Sequence, residues 1–206
     1  MTALRVEHLV VRRGARTVID GLDLEAAPGE IVGVVGKNGC GKSTLLMAIA
    51  GVLEPTDGRI VVAGASVWGS TRERTRARTA LGYVPEGADA PGFLRASELW
   101  ALCAAARRTT PPSPALIEQL GLDEVANLAL ERMSLGQRRR ACLGAALLGP
   151  PALLVLDEPD NGLDVRRLEA LVRLLREHAA AGHAAIVSTH DQSLIDQIGA
   201  RIVPLT

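Results

Sequence analysis

Ile31-Val32-Gly33-Val34-Val35 runs directly into Gly36-Lys37-Asn38-Gly39-Cys40-Gly41-Lys42-Ser43, and the segment Leu45 to Ala50, closed by Gly51, follows. Five apolar residues in a row have the length and continuity of a strand covered on both faces, which predicts a central strand. Leu45 to Ala50 is good helix material that Gly51 ends. Between them the eight residues satisfy G-x-x-x-x-G-K-[ST] in the context this pattern needs, a buried strand before and a helix after. Glycines suit such a turn because backbone N–H groups must wrap closely around phosphate oxygens, and the helix N-terminus beyond adds about half a positive charge. Lys42 would then reach the β- and γ-phosphates, Ser43 would ligate Mg²⁺ and Thr44 would touch the α-phosphate.

A second element of such a site lies downstream. Leu153-Leu154-Val155-Leu156 is an apolar strand that ends in Asp157-Glu158. Asp157 would hold Mg²⁺ directly or through water, and Glu158 would polarise an attacking water, because phosphoryl transfer is stabilised chiefly by positioning and charge. Together the two segments imply hydrolysis or transfer of a nucleoside triphosphate. A third segment, Met133-Ser134-Leu135-Gly136-Gln137, has Ser134 and Gln137 in S-x-x-Q register, a capping box that starts a helix with free N–H groups facing outward, which reads either as a cap and nothing more, the default for an isolated S-x-x-Q, or as a second anion site. Leu135 then falls in the first helical turn and should have helical φ.

The rest of the chain fills in around these segments. Leu4 to Val11 and Val18 to Leu24 read as a strand pair with turns at Arg13-Gly14 and Asp20-Gly21, an antiparallel edge. Gly58 to Val62 and Leu81 to Val84 are further strands. Ser97 to Arg108 and Pro114 to Leu120 are helical and bracketed by Pro111, Pro112 and Pro114, a helical insertion in mid-chain. Gln137 to Leu148 (helix), Leu153 to Leu156 (strand), Val165 to Ala180 (helix), Ala184 to Val187 (strand), Asp191 to Ile198 (helix) and Arg201 to Leu205 (strand) then alternate, which argues for parallel α/β architecture.

Composition narrows the partners. Of 206 residues 48% are hydrophobic and 22% charged, enough to bury a core, and Lys plus Arg balance Asp plus Glu at 23 each. A chain without net charge has no long-range field to gather nucleic acid or acidic lipid. Cys40, Cys103 and Cys142 are odd in number and lack metal-ligand spacing, so neither a disulfide framework nor a zinc site is expected, and a reducing cytosol fits. The segment Met1 to Val10 lacks the pattern of a signal peptide, and no stretch approaches the ~20 apolar residues of a membrane-spanning helix, so any link to a membrane should come through a partner.

The ordered set of segments resembles the ATP-binding subunit of ABC transporters over nearly the whole chain. Gly36 to Ser43 matches that family's Walker A loop, Gly82-Tyr83-Val84-Pro85-Glu86 stands at its Q-loop, and Met133 to Gln137 is similar to its LSGGQ signature. Asp157-Glu158-Pro159 matches the Walker B end, Asn161-Gly162-Leu163-Asp164 the D-loop and Ser188-Thr189-His190-Asp191 the H-loop. The resemblance implies a single α/β domain over residues 1–206. Its P-loop NTPase core, RecA-like over 1–86 and 137–206, would have a mostly parallel sheet and an N-terminal antiparallel β portion, with a helical subdomain inserted at about 87–136.

It also implies an ATPase whose cofactors are ATP and Mg²⁺, and whose partners are a second copy or a homologous ATPase subunit and an integral membrane transporter subunit. Nucleic acid is not expected as a partner. Catalytic roles would fall to Glu158, His190 and Lys42, with nucleotide contacts from Gly36, Asn38, Gly39, Cys40, Gly41, Lys42, Ser43, Thr44, Glu86, Ser134, Gly136, Gln137 and Asp164. Metal contacts would come from Ser43, Asp157 and Glu86. In the family's head-to-tail dimer, Ser134 and the Gly136 N–H would touch the γ-phosphate held by the partner, while His190 would contact it within its own subunit.

Export is the expected direction, on the Gly82 to Glu86 segment and the short C-terminus, with the chain on the cytoplasmic face of the membrane through its partner. Haem-exporter ATPases of cytochrome c maturation rank below generic export. A soluble ABC-type ATPase in a DNA- or ribosome-linked process is the alternative, and neither the coiled coils nor the duplicated domains of such proteins are visible. A small-metabolite P-loop kinase would leave Ser134 to Gln137 and His190 unexplained.

Four departures from the family pattern stand out. Arg12 and Arg13 occupy the neighbourhood where an aromatic side chain usually stacks on adenine, which implies weaker adenine preference. Glu86 replaces Gln, and Leu135 replaces a glycine. Cys40 lies inside the phosphate loop, where it reads as a small side chain. Arg72, Arg74, Arg76 and Arg78, and the run Arg138 to Arg140, read as solvated faces or as contacts to a partner's acidic loop. Phe93, Leu94 and Trp100 are candidate contacts to the membrane subunit, with a satellite core as the other reading of Trp100.

Overall fold

The computed structural model describes residues 2–205. Strand β1 (Leu4–Arg13) turns at Gly14 into β2 (Arg16–Ala26), and β3 (Ile31–Val35) leads through the glycine loop into α1 (Lys42–Ile49). There follow β4 (Asp57–Val62), β5 (Ala65–Ser66), α2 (Thr71–Thr79) and β6 (Leu81–Val84), then α3 (Ala96–Arg107), α4 (Pro114–Leu120) and a 3₁₀ turn at Leu130–Arg132. The last third is α5 (Leu135–Ala146), β7 (Leu153–Asp157), α6 (Val165–Ala180), β8 (Ala184–Ser188), α7 (Gln192–Ile198) and β9 (Arg201–Pro204).

The strands form two sheets. One is antiparallel with order β2-β1-β4-β5, and the other is fully parallel with order β6-β7-β8-β3-β9. This is the α/β P-loop NTPase architecture expected from the sequence. The parallel strands β7 and β8 are buried at every position, which is why they read as unbroken apolar runs. On one side, Leu45, Leu46 and Ile49 of α1 are fully buried in a core shared with the antiparallel sheet. Each such side chain contributes roughly 1.5–3 kcal/mol on burial. On the other side α5 and α6 cover the sheet and α3 packs on α5, where the Trp100 indole donates to the Ala141 carbonyl at 2.8 Å.

Parallel register brings functional ends together. Val34 pairs with Ser188, Asp157 pairs with Ser188, and Val84 pairs with Leu156, so the C-terminal ends of β3, β6, β7 and β8 form one row. In open parallel sheets ligands bind outside this edge.

Several expectations need correction. Asp20-Gly21 is not a turn: it lies within β2 at a register irregularity, where two strands of unequal count bend, and Gly21 takes φ 68°. Helix α1 starts at Lys42, ahead of Leu45, because the loop glycines hand the chain straight into helical geometry. The arginines at 72, 74, 76 and 78 are exposed, as a solvated face requires, but they lie on a helix the sequence reading did not place, α2, which has a full capping box between Ser70 and Glu73. That S-x-x-E pattern was a readable start signal. The run Arg138 to Arg140 is no solvated face: Arg139 is fully buried and Arg140 nearly so, because their side of α5 packs inward. Trp100 belongs to the core, whereas Phe93 is 76% exposed.

Candidate active site

A cleft of about 640 Å³ opens at the row of strand ends, lined by Arg13, Arg16, Val18, Asn38, Gly39, Gly41, Lys42, Ser43, Thr44, Glu86, Glu158 and His190. The glycine loop forms its floor. Gly41, which caps α1, takes φ 112°, and a Cβ there would press on Val18, so only glycine gives both the turn and the close approach. The first turn of α1 contains no acidic residue, which leaves the positive helix end open towards an anion.

Three titratable side chains converge above this floor. The Lys42 ammonium donates to the Gly36 carbonyl at 3.0 Å and stands 3.2 Å from His190 Nε2 and 3.9 Å from Glu158 Oε1. His190 Nε2 is 3.0 Å from the same Glu158 oxygen. A single Nε2 either donates to the carboxylate or accepts from the ammonium, so the tautomer of the His190 ring selects its partner. Burial pushes the Glu158 carboxyl above its ordinary pKa, against the opposing pull of His190 and Lys42. A buried carboxylate of raised basicity is suited to accept a proton from, or hold, an attacking water.

Glu158 follows β7 with φ 48°, left-handed backbone that a non-glycine residue adopts at a cost of roughly 1–2 kcal/mol. The kink is clamped. Its N–H donates to the Ser188 hydroxyl at 3.0 Å and to the Ser188 carbonyl at 3.1 Å. That hydroxyl donates in turn to Asp157 Oδ1 at 2.6 Å. Ser188 therefore fixes both acidic residues across the β7–β8 register.

The sequence-expected residues fall into two groups. Asn38, Gly39, Gly41, Lys42, Ser43, Thr44, Glu86, Glu158 and His190 line one cleft. Gly36 lends it a carbonyl, Cys40 is half-buried in the loop, and Asp157 lies buried beneath it. Ser134, Gly136, Gln137 and Asp164 stand apart. Ser134 and Gln137 form the reciprocal capping box at the start of α5: Ser134 N–H donates to Gln137 Oε1 at 2.9 Å, and Gln137 N–H donates to the Ser134 hydroxyl at 3.2 Å. Leu135 is the first helical residue and is absent from the positive-φ positions, as the capping geometry requires. Gly136 does need to be glycine, since a Cβ there would collide with the Gly162 carbonyl, whereas the Leu135 side chain lies against Gly162 without clashing. Asp164 caps α6 by accepting from Arg167 N–H at 2.9 Å.

Arg16 and Val18 were missed by sequence reasoning, and Arg12 is not part of the lining. Alternation along a strand points neighbours to opposite faces, and only the folded β1–β2 hairpin shows which arginines face the cleft. For Mg²⁺, no group of three or more His, Cys, Asp or Glu forms a cage among the described residues. Ser43 and Glu86 line the cleft and Asp157 is buried at the end of β7, oxygen donors of the type that would suit a Mg²⁺ arriving with its phosphates, an ion commonly held by one or two carboxylates plus substrate oxygens.

Fold and cleft define a P-loop nucleoside triphosphatase. Residues 19–161 match the family model described as ABC transporter. The chain is 37% identical over its full length, and 79% of the relative, to a zinc import ATP-binding protein of Cereibacter sphaeroides. It is 34% identical over 98% of its length, and 87% of the relative, to a cytochrome c biogenesis ATP-binding export protein of Gluconobacter oxydans. A putative ABC transporter ATP-binding protein of Streptomyces avermitilis is 41% identical, and there the chain spans 36% of the relative. A solved structure of the ATP-binding subunit of an ABC transporter superposes with TM-score 0.90 at 27% identity, over 99% of this chain and 86% of that one. The chain belongs to the ABC transporter family, and it is one of that family's ATP-binding, ATP-hydrolysing subunits. No helix among the described residues is long and apolar enough to cross a membrane.

Proposed function

We propose that this chain dimerises with a second copy, or with a homologous ATPase subunit, around two Mg·ATP and so powers a separate integral membrane subunit from the cytoplasmic face. The observation that carries this reading is the separation of the two groups of residues. One cleft gathers the glycine loop, Glu86, Glu158 and His190, while the capped start of α5, with Ser134 and Gly136, lies against Gly162 outside it. A site whose complement sits on another face of the same chain is completed by a neighbour.

In this reading the backbone N–H groups of the glycine loop and α1 cradle the phosphates, and Lys42 leaves the Gly36 carbonyl for the β- and γ-oxygens. Glu158 orients the attacking water and His190 contacts the γ-phosphate. Ser134 and the Gly136 N–H of the neighbour close over it. Ser43, Asp157 and Glu86 would hold Mg²⁺, which supplies charge neutralisation on the phosphate oxygens. The core comprises 1–86 and 137–206, and the helical subdomain is about 87–136, where exposed Phe93 offers a contact to the membrane subunit.

Export is the direction we infer, supported by Gly82 to Glu86 and by the likeness to an export protein of cytochrome c biogenesis. Import is the second reading, favoured by the likeness to zinc and aliphatic-sulfonate import subunits. The reading is tested by affinity capture of the chain from detergent-solubilised membranes. A polytopic protein should co-purify, and turnover should rise more than linearly with chain concentration. Full turnover in a strictly monomeric preparation would overturn the proposal.

Nucleobase choice gives a further expected outcome. With Arg13, Arg16 and Val18 at the cleft mouth and no aromatic among the lining residues, base recognition rests on guanidinium stacking, which is open to any purine. GTP and ATP should be turned over at kcat/KM values within about tenfold, the scale of a single modest contact. Initial-rate measurements with both nucleotides check this, and a much larger ATP bias would show that another group reads the base.

A further inference from the structure

Arg139 is fully buried, two residues past the capping box at the start of α5. Its Nη2 donates to the backbone carbonyl of Glu86 at 2.6 Å, a residue that lines the cleft. Its Nε and Nη1 are buried without a hydrogen-bond partner among the described residues, and so is Oδ1 of Asp160, two residues beyond Glu158. Asp160 is the charge that acts most strongly on this guanidinium, ahead of Glu86, Glu158 and Asp157. A buried guanidinium with donors unmade is costly, as is a carboxylate oxygen buried without a donor, and although the two are not paired with each other here they have the chemistry to satisfy each other in a bidentate pair.

We propose that Arg139 is a positioning residue of the hydrolytic site, with one arm fixing the Glu86 loop and the other arm taking the Asp160 carboxylate as the site closes on nucleotide. This would couple three pieces that the sequence keeps far apart. Helix α5, which begins with Ser134 to Gln137, carries the guanidinium. The segment after β6 supplies Glu86, and the turn after Glu158 supplies Asp160 and, two residues on, the Gly162 carbonyl that rests on Gly136. Approach of a neighbour to the start of α5 would thereby be felt at Glu86 and Glu158 together. The inference rests on the proposed ATPase dimer for its purpose, although its first contact is present in the single chain.

The test uses the full-length chain with Arg139→Gln, Arg139→Lys, Asp160→Asn and the Arg139→Gln/Asp160→Asn pair. The Arg139→Gln change should lower kcat roughly tenfold, within the range of coupled buried neighbours, with the KM for ATP little changed. Lysine keeps the charge but lacks the fork, so Arg139→Lys should recover part of the loss. The double variant should be no slower than Arg139→Gln alone, because removing the guanidinium leaves the half-buried Asp160 carboxylate, whose Oδ1 has no donor, uncompensated, and asparagine relieves that charge. Without nucleotide, amide exchange in Arg139→Gln should accelerate across residues 85–90 and stay near wild type in β7 and β8.

Losses that multiply in the double variant, an unchanged kcat in Asp160→Asn, or exchange that accelerates uniformly through the core would each overturn the proposal. Should Arg139→Gln fail to fold, Asp160→Asn alone decides through its kcat. Absence of ATP turnover in the unmodified chain would instead count against the proposed function, and the local exchange signature would still report on the Arg139–Glu86 contact.

Discussion

In the Glu158→Gln variant, ATP turnover falls by roughly 10²–10⁴-fold, the usual contribution of a positioned acid–base group, while ATP binding persists and the nucleotide-bound dimer lives longer. The amide keeps the size of the carboxylate and can accept from the His190 ring, whose Nε2 lies 3.0 Å from Glu158 Oε1 in the parent structure. What it cannot do is take a proton. The left-handed backbone at 158 is held by the Ser188 hydroxyl and carbonyl through the main-chain N–H, which the substitution leaves in place. The variant should therefore melt near the wild-type temperature. Phosphate release under single-turnover conditions, paired with equilibrium nucleotide binding, checks the expectation; hydrolysis near the wild-type rate would remove Glu158 from the water-orienting role.

Lys42→Ala should fail earlier, at binding. The ammonium is buried, held by the Gly36 carbonyl at 3.0 Å, and faces the cleft between Glu158 and His190. On the proposed phosphate-binding role of Lys42, its removal would delete a charge-assisted contact worth about 1.5–3 kcal/mol, roughly 10- to 150-fold in affinity. The loss has a second part. Lys42 is one of two groups that hold down the raised pKa of Glu158, so without it the carboxyl protonates at still higher pH, where the neutral acid is a poorer acceptor for water. Titration calorimetry with ATP should show the weakened affinity. An affinity equal to the wild type would mean that the loop N–H groups alone bind the phosphates.

The sequence reached far because its strongest signals are local. An apolar pentad before a glycine loop is a buried strand and a phosphate-binding turn for reasons internal to those thirteen residues, and Ile31–Val35 with Lys42–Ile49 has that form. Pro114 and Val165 mark helix starts just as legibly, since Ser113 and Asp164 stand before them as caps. Arginines carried no comparable signal. Arg16 enters the cleft, Arg12 does not, and Arg139 is buried where its neighbours in sequence suggested a charged surface.

By itself, then, the chain order determined the glycine loop between a buried strand and a helix, the acidic pair at a strand end, the capped helix at Ser134 and the alternation that makes the sheet parallel. Each of these depends on residues within a few positions of one another, so backbone preference and capping chemistry suffice. Tertiary structure alone decided which strand ends stand side by side, that Ser188 clamps Asp157 and Glu158 across two strands, and that Arg139 reaches Glu86 across fifty-three residues. Those contacts join segments whose separation along the chain leaves no trace in local pattern, and packing, which fills space without regard to sequence distance, is what brings them together.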